Sequence, residues 1–437
     1  MRPKSNHSRS GGGRHPETEH LTAPSVVPGT ARAAFLTAFH RSFHRSFLTA
    51  FLAILLPAWH GSLVRAAEPV KLGLVLPYSS VYATLGNDIT KGLELALGEA
   101  DNRVAGREFV VLKQDSQVNP KVGLQIATRF IRSDKVDFLI GPVASHVAMA
   151  MRKAAHDSKT FMIIPNAGAD PLTREQCSPY IFRTSFSNWQ PYYPMGSWMA
   201  GPEGLRRVSL LAPNYAAGKQ ALSAFKESFI PAGGQVVSEQ YPDLKETDYQ
   251  PYLSRLAQED TQAVFVFFAG SSAVKFVLQY KQAGLDKRFP LYASGFLVES
   301  SVLQAQGEAA LGIKTSMHWA DTMDNPANRR FVESYRKKFG GEHPSIYAMQ
   351  GYDTGKVLLQ ALRKTGGNTS DKAALRKALE TAEIDSPRGP FRFSGSHNPI
   401  QNIYVLQVVK GGHLGVENRI IGTAAENLED PGTGCKM

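Results

Sequence analysis

The feature that most constrains this chain is an alternation of short apolar segments with amphipathic ones, run through once and then begun again. Residues 71–76 (KLGLVL) form a compact β-type run that stops at Pro77. Residues 88–100 then place Ile89, Leu93, Leu95, Ala96 and Leu97 on one helical face. Strands at 108–112, 136–140 and 161–164 follow, separated by helices at 121–131 and 143–156. Continuously apolar strands with helices between them are buried on both faces, which predicts a parallel sheet covered on each side. The series restarts with strands at 207–212, 235–238, 263–268, 289–292 and 313–316, and helices at 218–229, 249–258 and 272–282. Residues 180–184 read as a strand crossing between the series. The chain closes with helices at 325–339, 346–365 and 371–379, and strands at 389–393 and 402–409. The predicted fold is α/β, with two doubly wound lobes. Ligands of such sheets bind in the crevice beyond the carboxyl ends of the strands.

Composition separates the first 66 residues from the rest. Residues 1–35 are rich in Ser, Gly, His, Pro and Arg, and a basic repeat, Phe39-His-Arg-Ser and Phe43-His-Arg-Ser, follows. The apolar run 47–56 has the length of a signal-peptide core and is too short for a bilayer, which needs roughly 20 apolar residues. Val64 and Ala66 stand where a cleavage site wants small residues. Residues 1–66 are therefore expected to be an export leader, the alternative being a retained membrane anchor. No Cys follows the cleavage region, which argues against lipid anchoring and for the periplasm of a Gram-negative cell. Residues 1–67 carry 8 Lys and Arg against 2 Asp and Glu, leaving 41 against 36, a net +5 of the chain's +11. A mildly basic domain with dispersed charge gives no reason to expect nucleic acid as a partner. Cys177 and Cys435 are the two cysteines; an oxidising compartment favours one disulfide between them, the alternative being two unrelated thiols.

The chemistry at the strand ends is that of a binder. Dinucleotide, P-loop, zincin and nucleophile-elbow motifs are all missing, so no catalytic residue, cofactor or metal is expected. Ser145 follows a strand and opens a helix, so its hydroxyl and nearby N–H groups suit a carboxylate, unless it is simply an N-cap. Asn166 and Gly168 stand at the next strand end, either as a further anion contact or as turn residues. Tyr78, Tyr82, Trp189, Tyr192, Tyr193, Tyr215, Phe296, Trp319 and Tyr352 fall in loops. Of these, Tyr215, Phe296 and Trp319 at strand ends are candidates for an apolar pocket wall.

Several segments in order carry a resemblance: 70–77 (VKLGLVLP), Asp115-Ser116, 140–145 (IGPVAS), 164–168 (IPNAG), 182–185 (FRTS) and 347–353 (YAMQGYD). Over residues 69–428 the chain resembles the branched-chain-amino-acid-type (type I) substrate-binding proteins of ABC transporters. The resemblance implies a Venus-flytrap closure with three crossovers. One lobe would hold 68–187 and 318–397, the other 188–317 and 398–428, with 429–437 as a tail. It further implies that Ser145, Asn166 and Gly168 hold a ligand carboxylate while Tyr215 closes over it. Tyr82, Leu85, Ser271 and Tyr352 complete the expected ligand set. A monomer partnered by inner-membrane permease subunits is implied.

The departures from that family concern the cargo. Its amino-acid binders hold the ammonium with an acidic residue, aligned here to Phe296, and a Tyr near Ser271. A buried ammonium without a counter-charge is strongly disfavoured. An aromatic or keto acid is expected instead, unless Asp321 or Glu299 supplies the charge. Three functions are consistent with the fold: a transport binding protein, an occupancy sensor for a membrane receptor, and an enzyme, the last lacking a nucleophile–base pair.

Overall fold

The computed structural model describes residues 68–437; the leader expected at 1–66 and its cleavage site lie outside the described residues. The first series forms β1 (Val70–Leu76), α1 (Ala83–Gly98), β2 (Arg103–Val104), β3 (Arg107–Asp115), α2 (Pro120–Arg129), β4 (Phe138–Ile140), α3 (Ser145–Asp157), β5 (Phe161–Ile164) and β6 (Ile181–Arg183). Its sheet runs β2-β3-β1-β4-β5-β6, parallel except for the β2–β3 pair. Val70, Leu72, Leu74 and the whole of β4 and β5 are buried, as their unbroken apolar character requires.

The second series comprises α4 (Tyr193–Ala200), β7 (Arg207–Leu211), α5 (Ala216–Phe229), β8 (Gln235–Gln240), α6 (Gln250–Leu256), β9 (Ala263–Val266), α7 (Ser271–Gln282), β10 (Leu291–Ser294), α8 (Ser300–Gln306) and β11 (Lys314–Met317). The chain then forms α9 (Pro326–Lys338), α10 (Ile346–Lys364) and α11 (Lys372–Glu380), followed by β12 (Arg392–Phe393), β13 (Pro399–Lys410) and β14 (Val416–Leu428). The second sheet runs β12-β13-β11-β10-β9-β7-β8, with β14 paired antiparallel to β13 from Gln401 to Lys410. Helix α10 packs back on α1 of the first series. Their axes approach so closely that a Cβ on Gly92 would lie 1.8 Å from the Ala348 carbonyl oxygen, and one on Gly351 2.1 Å from that of Ile89.

The chain thus passes from the first sheet to the second after β6, leaves the second after β11 for the helices that pack on α1, and returns to it between α11 and β12. Buried polar side chains tie these passages together. Arg388 donates to Asp353 Oδ2 (2.9 Å), to the carbonyls of Thr184 (2.8 Å) and Ser185 (3.0 Å), and to Gln401 Oε1 (2.7 Å). Arg183 donates to Asn398 Oδ1 at 2.7 Å and to the Ala169 carbonyl at 2.9 Å. Both guanidiniums are removed from water and find carbonyl or carboxylate acceptors, the condition for burying such a group.

Several elements differ from expectation: β2, α4 and α8 were not anticipated, nor were the early start of α1 and the last strand. Helix α1 starts at Ala83, five residues before the expected Asp88, because a short 3-10 turn over Ser80–Tyr82 feeds directly into it. Its first turn carries small and polar residues, so no apolar periodicity marks it. Strand β14 was not anticipated. It is an outer strand whose register against β13 shifts at three places, which destroys the simple alternation of a half-buried strand. Cys177 and Cys435 form a disulfide with Cα atoms 5.4 Å apart. Beside it Arg174 donates to both oxygens of the buried Asp430 carboxylate, at 3.0 and 2.9 Å.

Candidate functional site

The carboxyl ends of strands from both sheets, and the helices that follow them, meet at one cavity. It leaves about 330 Å³ unfilled by atoms. From the first series come Val143 and Ser145 after β4, Asn166 and Gly168 after β5, Phe186 and Asn188 after β6, and Tyr82 and Leu85 at the start of α1. From the second come Tyr215 and Ala217 after β7, Phe267 and Ala269 after β9, and Phe296 after β10. Tyr192 and Tyr347 complete the lining.

Ser145 is the first residue of α3, and the N-cap position belongs to Ala144, which makes no side-chain cap. The Ser145 hydroxyl is therefore not spent on its own helix; it accepts from Asn188 Nδ2 at 3.1 Å. Asn188 also donates to Gln220 Oε1 (2.7 Å), and its backbone N–H donates to the Gly168 carbonyl (2.6 Å). A side chain at position 168 would put its Cβ 2.2 Å from Asn188 Oδ1, so glycine is needed for this approach. Asn166 donates to Gln350 Oε1 of α10 at 2.7 Å. Helices α3, α5 and α10 bring their N-terminal residues Ser145, Ala217 and Tyr347 to the cavity, a source of positive potential without any cationic side chain.

The rest of the wall is apolar and mostly aromatic, with Leu85, Val143, Ala217 and Ala269 between the rings. Phe296 stacks on Tyr347 (centroids 5.7 Å apart, 13° between planes) and leans on Phe186 at 5.1 Å. Tyr215 stacks on Phe267 at 6.3 Å, and its hydroxyl lies 2.9 Å from that of Tyr82. This contact joins the two series across the cavity. Burial pushes the Tyr82 phenol up to about 12 and the Tyr215 phenol well above its ordinary value, so both stay protonated hydroxyls at neutral pH. His146, edge-on to Tyr215, and His318, against Phe186, are held neutral by burial, reinforced at His318 by Arg388. Among the described residues no Asp, Glu, Lys or Arg lines the cavity.

Seven residues singled out in the sequence come together here: Tyr82, Leu85, Ser145, Asn166, Gly168, Tyr215 and Phe296. Three do not. Ser271 opens α7 with its side chain exposed to solvent. Trp319 donates through Nε1 to Asn328 Oδ1 at 2.8 Å and packs on Phe331, lining a different cavity. Tyr352 is drawn to the α1–α10 side, its hydroxyl donating to Glu99 Oε2 at 2.8 Å. Glu299 and Asp321, the possible counter-charges for an ammonium, face that second cavity as well. Sequence reasoning missed Asn188, Phe186 and Phe267. Phe267 was findable, since it stands just beyond the carboxyl end of β9 in a run that had been read as all strand.

A two-sheet α/β fold with a cavity between facing strand ends is an architecture that captures small solutes. The chain belongs to the periplasmic binding protein family, whose model matches residues 69–413. It is 32% identical over 374 residues to a Leu/Ile/Val-binding protein homolog 6 of Brucella melitensis, covering 84% of this chain and 94% of that protein. Among solved structures it is similar to an ABC transporter solute-binding protein of R. palustris in complex with benzoate, at 38% identity and a TM-score of 0.81, covering 84% of this chain and all of that one. A solute-binding protein of Rhodopseudomonas palustris BisB5, in complex with 3,4-dihydroxybenzoic acid, matches at 32% identity and a TM-score of 0.79, covering 84% and 99%. Among the described residues no helix is long and apolar enough to cross a membrane.

Proposed function

We propose that this chain is the exported solute-binding component of an ABC importer and that its cargo is a small aromatic carboxylate of the benzoate type. The observation that carries the reading is the cavity itself: hydroxyl, amide and helix-N-terminal donors on one side, aromatic rings around them, and no acidic residue. In this reading Ser145 donates to the carboxylate together with the N–H groups of the first turn of α3, and Asn166 and Gly168 frame it. Asn188 holds the Ser145 hydroxyl in place. Phe296, Phe267 and Tyr215 enclose the ring, and the Tyr82–Tyr215 contact latches the halves when they close. The halves are 68–187 with 318–397 and 188–317 with 398–428. The working compartment is the periplasm, reached through removal of residues 1–66, and the working form is a monomer that hands its ligand to permease subunits.

The benzoate and dihydroxybenzoate complexes of the similar solved proteins support this cargo. Carriage of a branched-chain amino acid is the second reading, favoured by the name of the Brucella relative. It would leave the amino acid's ammonium facing phenylalanine rings, because Glu299 and Asp321 line the other cavity. A thermal-shift screen separates the two. At a ligand concentration 100 times its dissociation constant, binding to the folded state adds about 2.7 kcal/mol of stability. Benzoate and 4-hydroxybenzoate are expected to raise the melting temperature and leucine to leave it unchanged; the reverse pattern would overturn the aromatic assignment.

A further inference from the structure

Behind the Phe296–Tyr347 stack lies a second cavity, with about 300 Å³ of space between its atoms. The two cavities share a wall in sequence, for Gly295 and Ile346 line the second while their neighbours Phe296 and Tyr347 line the first. Glu299, Asp321, Thr315, Asn418 and Trp319 face the second cavity, and among the described residues no Lys, Arg or His does. The Glu299 carboxylate accepts from the Ser301 N–H at 3.1 Å and from the Ser301 hydroxyl. Asp321 has as its nearest cationic candidate only His343, 3.9 Å away.

Two further oxygens there are unmet. Thr315 Oγ1 and Asn418 Oδ1 are buried and have no hydrogen-bond partner, although Thr315 is fully buried and Asn418 is only 8% exposed. The Asn418 amide nitrogen donates to the Val298 carbonyl at 2.6 Å, which fixes the side chain and leaves its oxygen as the unsatisfied end. Buried acceptors without donors are rare in native proteins and point to a missing partner. A partner that carries several N–H donors would meet both oxygens, and beside two carboxyl groups a positive charge favours it over a neutral one.

We propose that this second cavity binds a small primary ammonium ion, held by Glu299, Asp321, Thr315 Oγ1 and Asn418 Oδ1 with its alkyl part against Trp319. The site draws its lining from both halves, Ile346 from α10 and Asn418 from β14, so its occupant touches each of them. The groups that face Glu299 are Asp88 of α1, Asp321 of the passage after β11, Tyr335 of α9 and Tyr347 of α10, while Asp321 also feels Glu417 of β14. These groups are acidic or phenolic; the His343 imidazole also lies 3.9 Å from Asp321, and burial holds it neutral. Burial raises Glu299 to about 8 and Asp321 to about 6, so Glu299 must release a proton to receive the cation.

Calorimetric titration of the purified protein with methylammonium chloride tests the site, with potassium chloride as the control cation. Saturable binding of methylammonium and none of potassium is expected, with affinity at pH 8.5 more than about tenfold above that at pH 6.5. Glu299→Gln and Asp321→Asn, each shown to be folded by circular dichroism, are both expected to weaken binding at least about tenfold, and Glu299→Gln to flatten its pH dependence. Should Glu299→Gln fail to fold, Asp321→Asn alone decides. Absence of saturable binding at pH 8.5, equal binding of potassium, or unchanged affinity in the folded variants would overturn the assignment. None of these outcomes depends on what the first cavity carries.

Discussion

Ser145 and Gly168 act on the same point of the cavity by different means. Ser145 offers a hydroxyl that its own helix does not use, and a hydrogen bond to a charged group is worth about 1.5–3 kcal/mol. Ser145→Ala is therefore expected to weaken benzoate binding by about tenfold to a hundredfold, measured by calorimetry, with little change in melting temperature. Gly168→Ala works through Asn188, whose Oδ1 would lie 2.2 Å from the new Cβ, as would the Phe186 ring at 2.8 Å. Asn188 must move and release Ser145, so benzoate affinity should fall by at least as much as in Ser145→Ala. Retained affinity in Gly168→Ala would show that the Asn188–Ser145 contact does not set the site. At this scale the sequence was legible where position on a strand end decided the matter, as for Ser145, Asn166, Gly168 and Phe296. It was not legible for Trp319 and Tyr352, because the direction of each side chain is set by a polar partner outside its own segment: Asn328 of α9 for Trp319, and Glu99 at the end of α1 for Tyr352, which lies within α10.

The elements were readable where burial is uniform. Strands β4, β5 and β9 are buried along their length, and their apolar runs announce them. Strand β14 is largely half-buried or exposed and breaks register, so nothing in its composition marks it. The α1–α10 crossing was likewise invisible, although Gly92 and Gly351 are its price in sequence. Gly92→Ala would press a methyl group into the Ala348 carbonyl; forcing such helices apart typically costs about 1–3 kcal/mol. A lower denaturation midpoint is expected for Gly92→Ala and an unchanged one for Gly395→Ala, where nothing lies within 4 Å of the added Cβ and φ is not positive. The Cys177–Cys435 disulfide closes a separation of 258 residues. Its removal by Cys177→Ser with Cys435→Ser should lower stability by about 2–5 kcal/mol. Neither cysteine lines the cavity, so benzoate affinity should be unchanged.

For the whole molecule, the arrangement separates two electrostatic environments that a single family resemblance would merge. The first cavity is neutral and rich in donors; the second is acidic and rich in acceptors. Buried Glu299 binds its proton more tightly in the folded chain than in the unfolded one, its value rising from 4.5 to about 8. Its contribution to stability is therefore full below about pH 4.5 and is lost progressively as the pH rises toward about 8. Urea denaturation should give a higher midpoint at pH 5 than at pH 8, with the difference reduced in Glu299→Gln. The neutrality of the first cavity bears on cargo, which is the central claim. Equilibrium dialysis of the protein against equal concentrations of benzoate and leucine, followed by assay of what the protein retains, tests it most directly. Retention of benzoate in about one-to-one ratio with no leucine is the result this account requires; retention of leucine in preference to benzoate would contradict it.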